Sequence, residues 1–237
     1  MSLRFPQDLI QAGDVKCSLD ALLLAAFVQG THERVVELGA GCGVIGLGLL
    51  LLNTAGSVVG LEKDEVQLEI ARRNARQFGL EDRYEARQAD FEEDRNAGKG
   101  ADLAVCNPPW RLEGAERLPV SARRRIALYG TERTLALFAG AGASRLRRGG
   151  LYVCVVGAQR LADMICALAG AGLRRRACVL PIPGPVGRPC SPSLRRGIRA
   201  KAFCAWSRRS FCTRAGATAG RRGSSAVGCD GCEETYP

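Results

Sequence analysis

Val35-Val-Glu-Leu-Gly39-Ala-Gly41-Cys-Gly43-Val-Ile-Gly46 joins a short β-branched run to an apolar one through three closely spaced glycines. The pattern predicts a buried strand over Arg34 to Leu38 and an apolar helix over Val44 to Leu52, with the glycines as the turn between them. Glycine is needed where the backbone takes positive φ or where a ligand lies against bare main chain. Gly41-Cys-Gly43-Val-Ile-Gly46 also satisfies G-x-G-x-x-G, a weak signal by itself. A strand, a glycine loop and a helix in this order open a doubly wound α/β sheet.

The neighbouring sequence continues the alternation. Ser18 is a helix N-cap ahead of Leu19, and helix formers run on to Gly30. Ser57 to Glu62 reads as a second strand, Asp64 to Phe78 as a helix ended by Gly79, and Arg83 to Ala89 as a third strand. Ala101 to Cys106 is a fourth strand, stopped by Asn107-Pro-Pro-Trp110. Thr131 to Leu146 is helical, Leu151 to Val156 a fifth strand, Leu161 to Ala171 a helix and Arg174 to Pro181 a sixth strand. Such alternation predicts an α/β fold, a mostly parallel sheet with helices on both faces. Ligands in such sheets bind at the carboxyl ends of the strands, where loops 39–43 and 107–110 both fall.

Two ligands suit the first loop, a nicotinamide dinucleotide or S-adenosylmethionine. Glu62, at the end of the second strand, is placed to accept hydrogen bonds from ribose hydroxyls. Glu37 favours S-adenosylmethionine, because a carboxylate there suits a cationic sulfonium and would repel a pyrophosphate. Asp90 and Phe91, after the third strand, suit an adenine amino group and its ring. The bland alternative is that the glycines serve only helix–strand packing.

The second loop carries the chemistry. Two prolines fix the backbone and supply no N–H, so carbonyls can point into a cleft. The Asn107 side-chain oxygen and the Pro108 carbonyl can then accept both hydrogens of one planar amino group. Trp110 offers a π-face to the ring bearing that amine. The alternative is a Pro-Pro turn beside a core tryptophan.

These residues resemble the class I S-adenosylmethionine-dependent methyltransferases of the N-P-P-[YFW] type, a Rossmann-like fold. The stretch Leu9 to Phe27, followed by the Glu37 to Gly46 block, narrows the likeness to bacterial tRNA-Val N6-adenine methyltransferases, over roughly residues 5 to 180. The resemblance implies that Glu37, Gly39 and Gly41 contact the methionine part of the cofactor. Glu62 would hold the ribose, Asp90 and Phe91 the adenine, and Asn107, Pro108, Pro109 and Trp110 the target base of a tRNA anticodon arm. Cys17 stands where such sequences tend to have an aromatic, and Cys42 where a small hydroxyl is common. Release-factor glutamine methyltransferases share the N-P-P motif and are the rival reading, with glutamine N5 as the target. They usually carry an extra N-terminal helical domain, and only about thirty residues precede the first strand here.

Charge divides the chain in two. Of 237 residues, the first 173 hold 21 basic and 21 acidic side chains, and the last 64 hold 13 basic and 3 acidic, which accounts for the net +10. Five of the eleven cysteines fall in the first part and six in the second. The basic balance is thus a property of the tail, and is no nucleic-acid footprint of the domain. The apolar runs Leu19 to Val28 and Val44 to Leu52 have ten and nine residues, too short to cross a bilayer. The N-terminus has no signal-like pattern, and a cytoplasmic location is expected.

After Pro181 the periodicity fails. We expect a domain over 1–180 and, over 181–237, a disordered Arg/Cys-rich tail with the last strand of the sheet missing or disrupted. With G/C-rich codons, a shifted reading of Arg195 to Gly216 yields ARDTGKSVLRLEPPLVLHEGG, a Val/Leu-rich run that resembles the C-terminal end of the family. The tail therefore reads as out of frame from near 181 to 194, and an inactive product disabled by its tail is the non-enzyme alternative. Cys229 and Cys232 have no second pair and no nearby His, so no metal site is expected. Arg123 to Arg125 suit phosphate contacts or a solvated helix face equally.

Overall fold

A computed structural model describes residues 4–13, 15–91, 93–94, 96–112, 120–179 and 201–208. Helix α1 (Leu19–Phe27) starts at Ser18, whose side chain accepts from the Ala21 amide, as expected of an N-cap. Strand β1 (His32–Leu38) is buried over its last four residues and feeds the glycine loop. Helix α2 (Val44–Leu51) is buried over its first seven residues; apolar all round, it is a core element and not a surface one. Strand β2 (Ala55–Glu62) and helix α3 (Glu65–Gln77) follow, α3 capped by Asp64 and burying Leu68, Ile70, Ala71, Asn74 and Ala75 on one face.

Strand β3 (Tyr84–Gln88), strand β4 (Ala101–Cys106), helix α5 (Thr134–Arg145), strand β7 (Leu146–Gly157), helix α6 (Leu161–Gly170) and strand β8 (Leu173–Val179) fall where the periodicity places them. Between β4 and α5 lies an excursion the sequence did not announce. There, β5 (Arg111–Leu112) pairs in parallel with β6 (Tyr129–Gly130), and helix α4 (Ala122–Leu128) stands off the core with no buried residue.

Among the described residues the main sheet has seven strands in the order β3-β2-β1-β4-β7-β9-β8, where β9 is Lys201–Arg208. The pairs from β3 to β7 are parallel, with Glu37 beside Gly60 on one side and Val105 on the other. The order reverses between β1 and β4, so the loops after these two strands meet side by side at the switch point. Two apolar cores cover the two faces. One gathers α1, α2 and α3 residues such as Leu24, Leu47 and Leu68; the other gathers Phe138, Met164 and Leu168 of α5 and α6.

Strand β9 corrects the expectation that no last strand follows residue 181. It runs antiparallel to both β7 and β8, with Cys204 in register with Cys154 and Cys178. The physical reason lies in its composition. Ala202-Phe-Cys-Ala-Trp206 is continuously apolar and includes two strand-favouring aromatics, as suits a strand that lies between two others. A run of five inside an Arg-rich stretch is too short to show a period. Residues 181–200 and 209–237, with Cys229 and Cys232, lie outside the described residues, as does the remainder of the expected tail.

Candidate functional site

The glycine loop folds back onto the second strand. Gly39 and Ala40 donate their amides to the Leu61 carbonyl, at 2.8 and 3.0 Å. Gly39, Gly41 and Gly43 all take positive φ, at 67°, 56° and 82°. A Cβ on Gly41 would meet nothing within 4 Å, so the bare main chain borders open space. That space is a cavity of about 410 Å³, bounded by Gly39 to Cys42, by Ser18 at the start of α1, and by Asn107. Among the described residues its basic lining side chains are Lys16, Arg111 and Arg124, and none of the lining side chains is acidic.

The Glu62 carboxylate ties these pieces together. Its Oε2 accepts from the Gly41 amide at 2.8 Å, and its Oε1 accepts from the Lys63 and Asp64 amides at 2.8 and 2.9 Å. Asp90 lies next to it, held by the Lys63 ammonium at 2.5 Å. Phe91 packs edge-on against Phe138, ring centres 5.1 Å apart, with the Arg145 guanidinium 5.6 Å from its centre. Glu62, Asp90 and Phe91 therefore gather at the ends of β2 and β3. None of them lines the cavity, which reaches from the glycine loop toward α1 and α4.

Glu37 points elsewhere than expected. It is fully buried, its Oε2 accepting from the Gly46 amide and from the Tyr84 hydroxyl, both at 3.1 Å, while its Oε1 has no partner. Burial pushes its carboxyl up to about 8, against the lowering effect of those hydrogen bonds. At neutral pH the group is therefore mostly the neutral acid. The chain turns Glu37 beneath α2, where desolvation disfavours its charge. Tyr84 is raised for the same first reason.

Asn107 lines the cavity, and its Nδ2 donates to Ser18 Oγ at 3.1 Å. Pro108 is buried and Pro109 half-buried, and the Pro109 carbonyl lies against Gly130, where a Cβ would come within 2.6 Å of it. Trp110 turns into the core at 6% exposure, against Gly157, its carbonyl accepting from Arg160 at 3.1 Å. The Arg111 guanidinium lies over its ring at 5.4 Å. The open π-face expected of Trp110 is therefore corrected: one face packs inward because the large apolar ring gains more from burial than from water.

Several residues of the site were not singled out by sequence. Tyr84 reaches Glu37 because Gly46 and Gly60 leave room, and a glycine inside a strand signals such a close approach. Asn74 donates to the Cys42 and Ile10 carbonyls at 2.9 and 3.0 Å, pinning the loop to the N-terminal segment. Gln67 lines the cavity with a buried, unpartnered Nε2. In the arginine run, Arg123 braces Asp64 at 2.9 Å while Arg124 lines the cavity. Cys17 and Cys42 also line it, both raised by burial, Cys42 to about 12, so both are neutral thiols. Among the described residues no cluster of His, Cys, Asp and Glu is able to hold a metal ion. No helix among them is long and apolar enough to cross a membrane.

Sheet order, crossover loops and a cavity at the switch point together define a Rossmann-like class I methyltransferase fold. Residues 18–127, which include both loops, match the family model of the methyltransferase small domain. The release factor glutamine methyltransferase of Bacillus subtilis is 38% identical over 90 residues, 38% of this chain and 31% of its own. A tRNA1(Val) (adenine(37)-N6)-methyltransferase of Flavobacterium psychrophilum is 34% identical over 104 residues, 42% of this chain and 44% of its own. The chain thus spans less than half the length of these curated relatives. Among solved structures, a predicted O-methyltransferase from Agrobacterium tumefaciens superposes with TM-score 0.58 at 20% identity, over 81% of this chain and 82% of its own.

Proposed function

We propose that this chain is an S-adenosylmethionine-dependent methyltransferase that modifies the N6 amino group of adenine in tRNA, at the anticodon arm. The observation that carries the reading is the cavity wall, where Asn107 of the N-P-P-W loop meets Lys16, Arg111 and Arg124. Cations on a nucleophile-binding cleft suit a phosphate backbone. The named activity of the Flavobacterium relative supports the same substrate. A tRNA substrate carries with it a cytoplasmic location.

The site also fits the cofactor. Gly39 and Gly41 supply bare main chain beside open space, Glu62 a carboxylate at the end of β2, and Asp90 and Phe91 an acid and a ring at the end of β3. We assign Gly39 and Gly41 to the amino-acid end, with Glu37 supporting it from below, Glu62 to the ribose, and Asp90 and Phe91 to the adenine. When bound, S-adenosylmethionine supplies an electrophilic methyl on a cationic sulfur. An exocyclic amine is a poor nucleophile because its lone pair is delocalised into the ring. Asn107 Oδ1 and the Pro108 carbonyl accept its two hydrogens, favour a pyramidal nitrogen and stabilise the charge that develops there. No strong base is required, since that nitrogen becomes acidic only after transfer. Pro109 holds the turn, and Arg111, backed by Trp110, offers a guanidinium plane to the base.

The second reading, glutamine N5 in a release factor, rests on the Bacillus relative. The deciding experiment is methyl transfer to an anticodon stem-loop RNA and, in parallel, to a glutamine-containing peptide, using wild type and Asn107→Ala. We expect transfer to the RNA alone. Loss in the variant should be on the order of 100-fold or more, with cofactor affinity unchanged. Transfer to the peptide alone would give the second reading. No transfer to either, with cofactor still bound, would give the inactive product.

A further inference from the structure

We infer that Ser18 is a positioning residue for methyl transfer, setting which face of the Asn107 amide meets the substrate; this rests on the assignment of Asn107 as acceptor of the target amine. The two residues are 89 positions apart, yet the Asn107 Nδ2 donates to Ser18 Oγ at 3.1 Å, and both line the cavity. The same oxygen accepts from the Ala21 amide at 3.3 Å as the N-cap of α1.

A hydroxyl oxygen has two acceptor sites, and these two donors use them. The consequence is chemical. A carboxamide is planar, with a donor and an acceptor on opposite sides of one bond, so a half-turn exchanges them. An NH₂ turned toward the target amine would oppose its hydrogens and supply no acceptor. With Nδ2 committed to Ser18, Oδ1 is the atom left to accept. The helix α1 N-terminus thus acts as a fixed anchor, because the Ala21 bond holds the hydroxyl oxygen in place. The link also joins the N-terminal segment to the loop after β4, so helix α1 takes part in the amine site and not only in packing.

Ser18→Gly tests this, since glycine is well tolerated at a helix N-cap while the hydroxymethyl group that meets Asn107 is removed. The readouts are kcat and KM with an anticodon stem-loop RNA, cofactor affinity by calorimetry and the thermal midpoint. We expect kcat to fall on the order of 10-fold or more, a misoriented group near the chemistry being costly, with cofactor affinity unchanged. Ser18→Thr, which restores the oxygen, should recover most of the rate. In an Asn107→Ala background, Ser18→Gly should cause no further loss. An unchanged kcat in Ser18→Gly, alongside an inactive Asn107→Ala, would overturn the role of Ser18 and leave the acceptor assignment intact. A parallel fall in kcat, cofactor affinity and thermal midpoint that Ser18→Thr does not reverse would also overturn it, marking a purely structural role. A wild-type rate in Asn107→Ala would remove the assignment beneath it.

Discussion

The carboxylate of Glu62, at the end of β2, accepts a hydrogen bond at 2.8 Å from the amide of Gly41, in the loop after β1. One side chain thereby holds the glycine loop in the shape that leaves its main chain open to the cavity. Its other oxygen caps the turn into α3 through the Lys63 and Asp64 amides. Glu62→Ala should therefore weaken S-adenosylmethionine binding by about tenfold or more, ~1.4 kcal/mol. Glu62→Gln, which keeps one acceptor oxygen, should lose less. Calorimetric titration of both variants checks the order.

Glu37 gives a pH dependence of known sign. Its folded pKa, about 8, lies above the ordinary 4.5, so the folded chain binds the proton more tightly than the unfolded one. The stability it contributes is fully present below about pH 4.5 and is lost as pH rises toward 8. Glu37→Gln is neutral at every pH and should lack that decline. The difference in thermal midpoint, variant minus wild type, should grow from pH 5 to 8 and then level off. A constant difference across that range would show that Glu37 is already ionised.

Gly46 and Gly60 make room for the Glu37–Tyr84 pair. A Cβ at 46 would come within 2.6 Å of the Glu37 carboxylate and 2.7 Å of the Tyr84 ring; at 60 it would come within 2.2 Å of the Tyr84 hydroxyl. Gly46→Ala gains helix propensity of about 1 kcal/mol, yet should be destabilising by about 1–3 kcal/mol from overpacking. Gly140→Ala, in α5 with nothing within 4 Å, is the control and should stabilise by roughly 0.5–1 kcal/mol. Urea denaturation of the two variants decides it.

The cations on the cavity wall predict a salt signature. If Lys16 and Arg124 meet phosphates, the logarithm of the RNA affinity should fall linearly with log salt. Arg124→Ala should lower that slope by about 0.7, the value for one contact to a single strand. Arg125→Ala, on the same helix but away from the cavity, should leave it nearly unchanged. Equal effects from both would indicate a diffuse field and no directed contact.

Strand β9 predicts what truncation does. Ending the chain at residue 200 removes the strand between β7 and β8 and leaves β7 as an unpaired edge. The truncated protein should aggregate and lose cooperative unfolding in a thermal scan, whereas ending at 208 should preserve it. We also propose that the stretch after about 181 is read out of frame. Resequencing the gene and finding the intact frame, with an active product, would remove that proposal.

Local pattern sufficed for much of this protein. The doubly wound sheet, its six main-sheet strands before residue 181 and the position of both loops follow from β-branched runs, Asp64 and Ser18 caps, and glycine and proline punctuation, all of which act over a few neighbours. What lies across the sheet was not legible there. That Glu37 turns under α2 to meet Tyr84, that Trp110 faces the core, and that Ser18 reaches Asn107 depend on which distant surfaces pack together. So does the place of β9, whose short apolar run becomes a strand only between two partners that supply its hydrogen bonds. Burial then decided the charge of Glu37, because desolvation is a property of the packed interior and not of the residue.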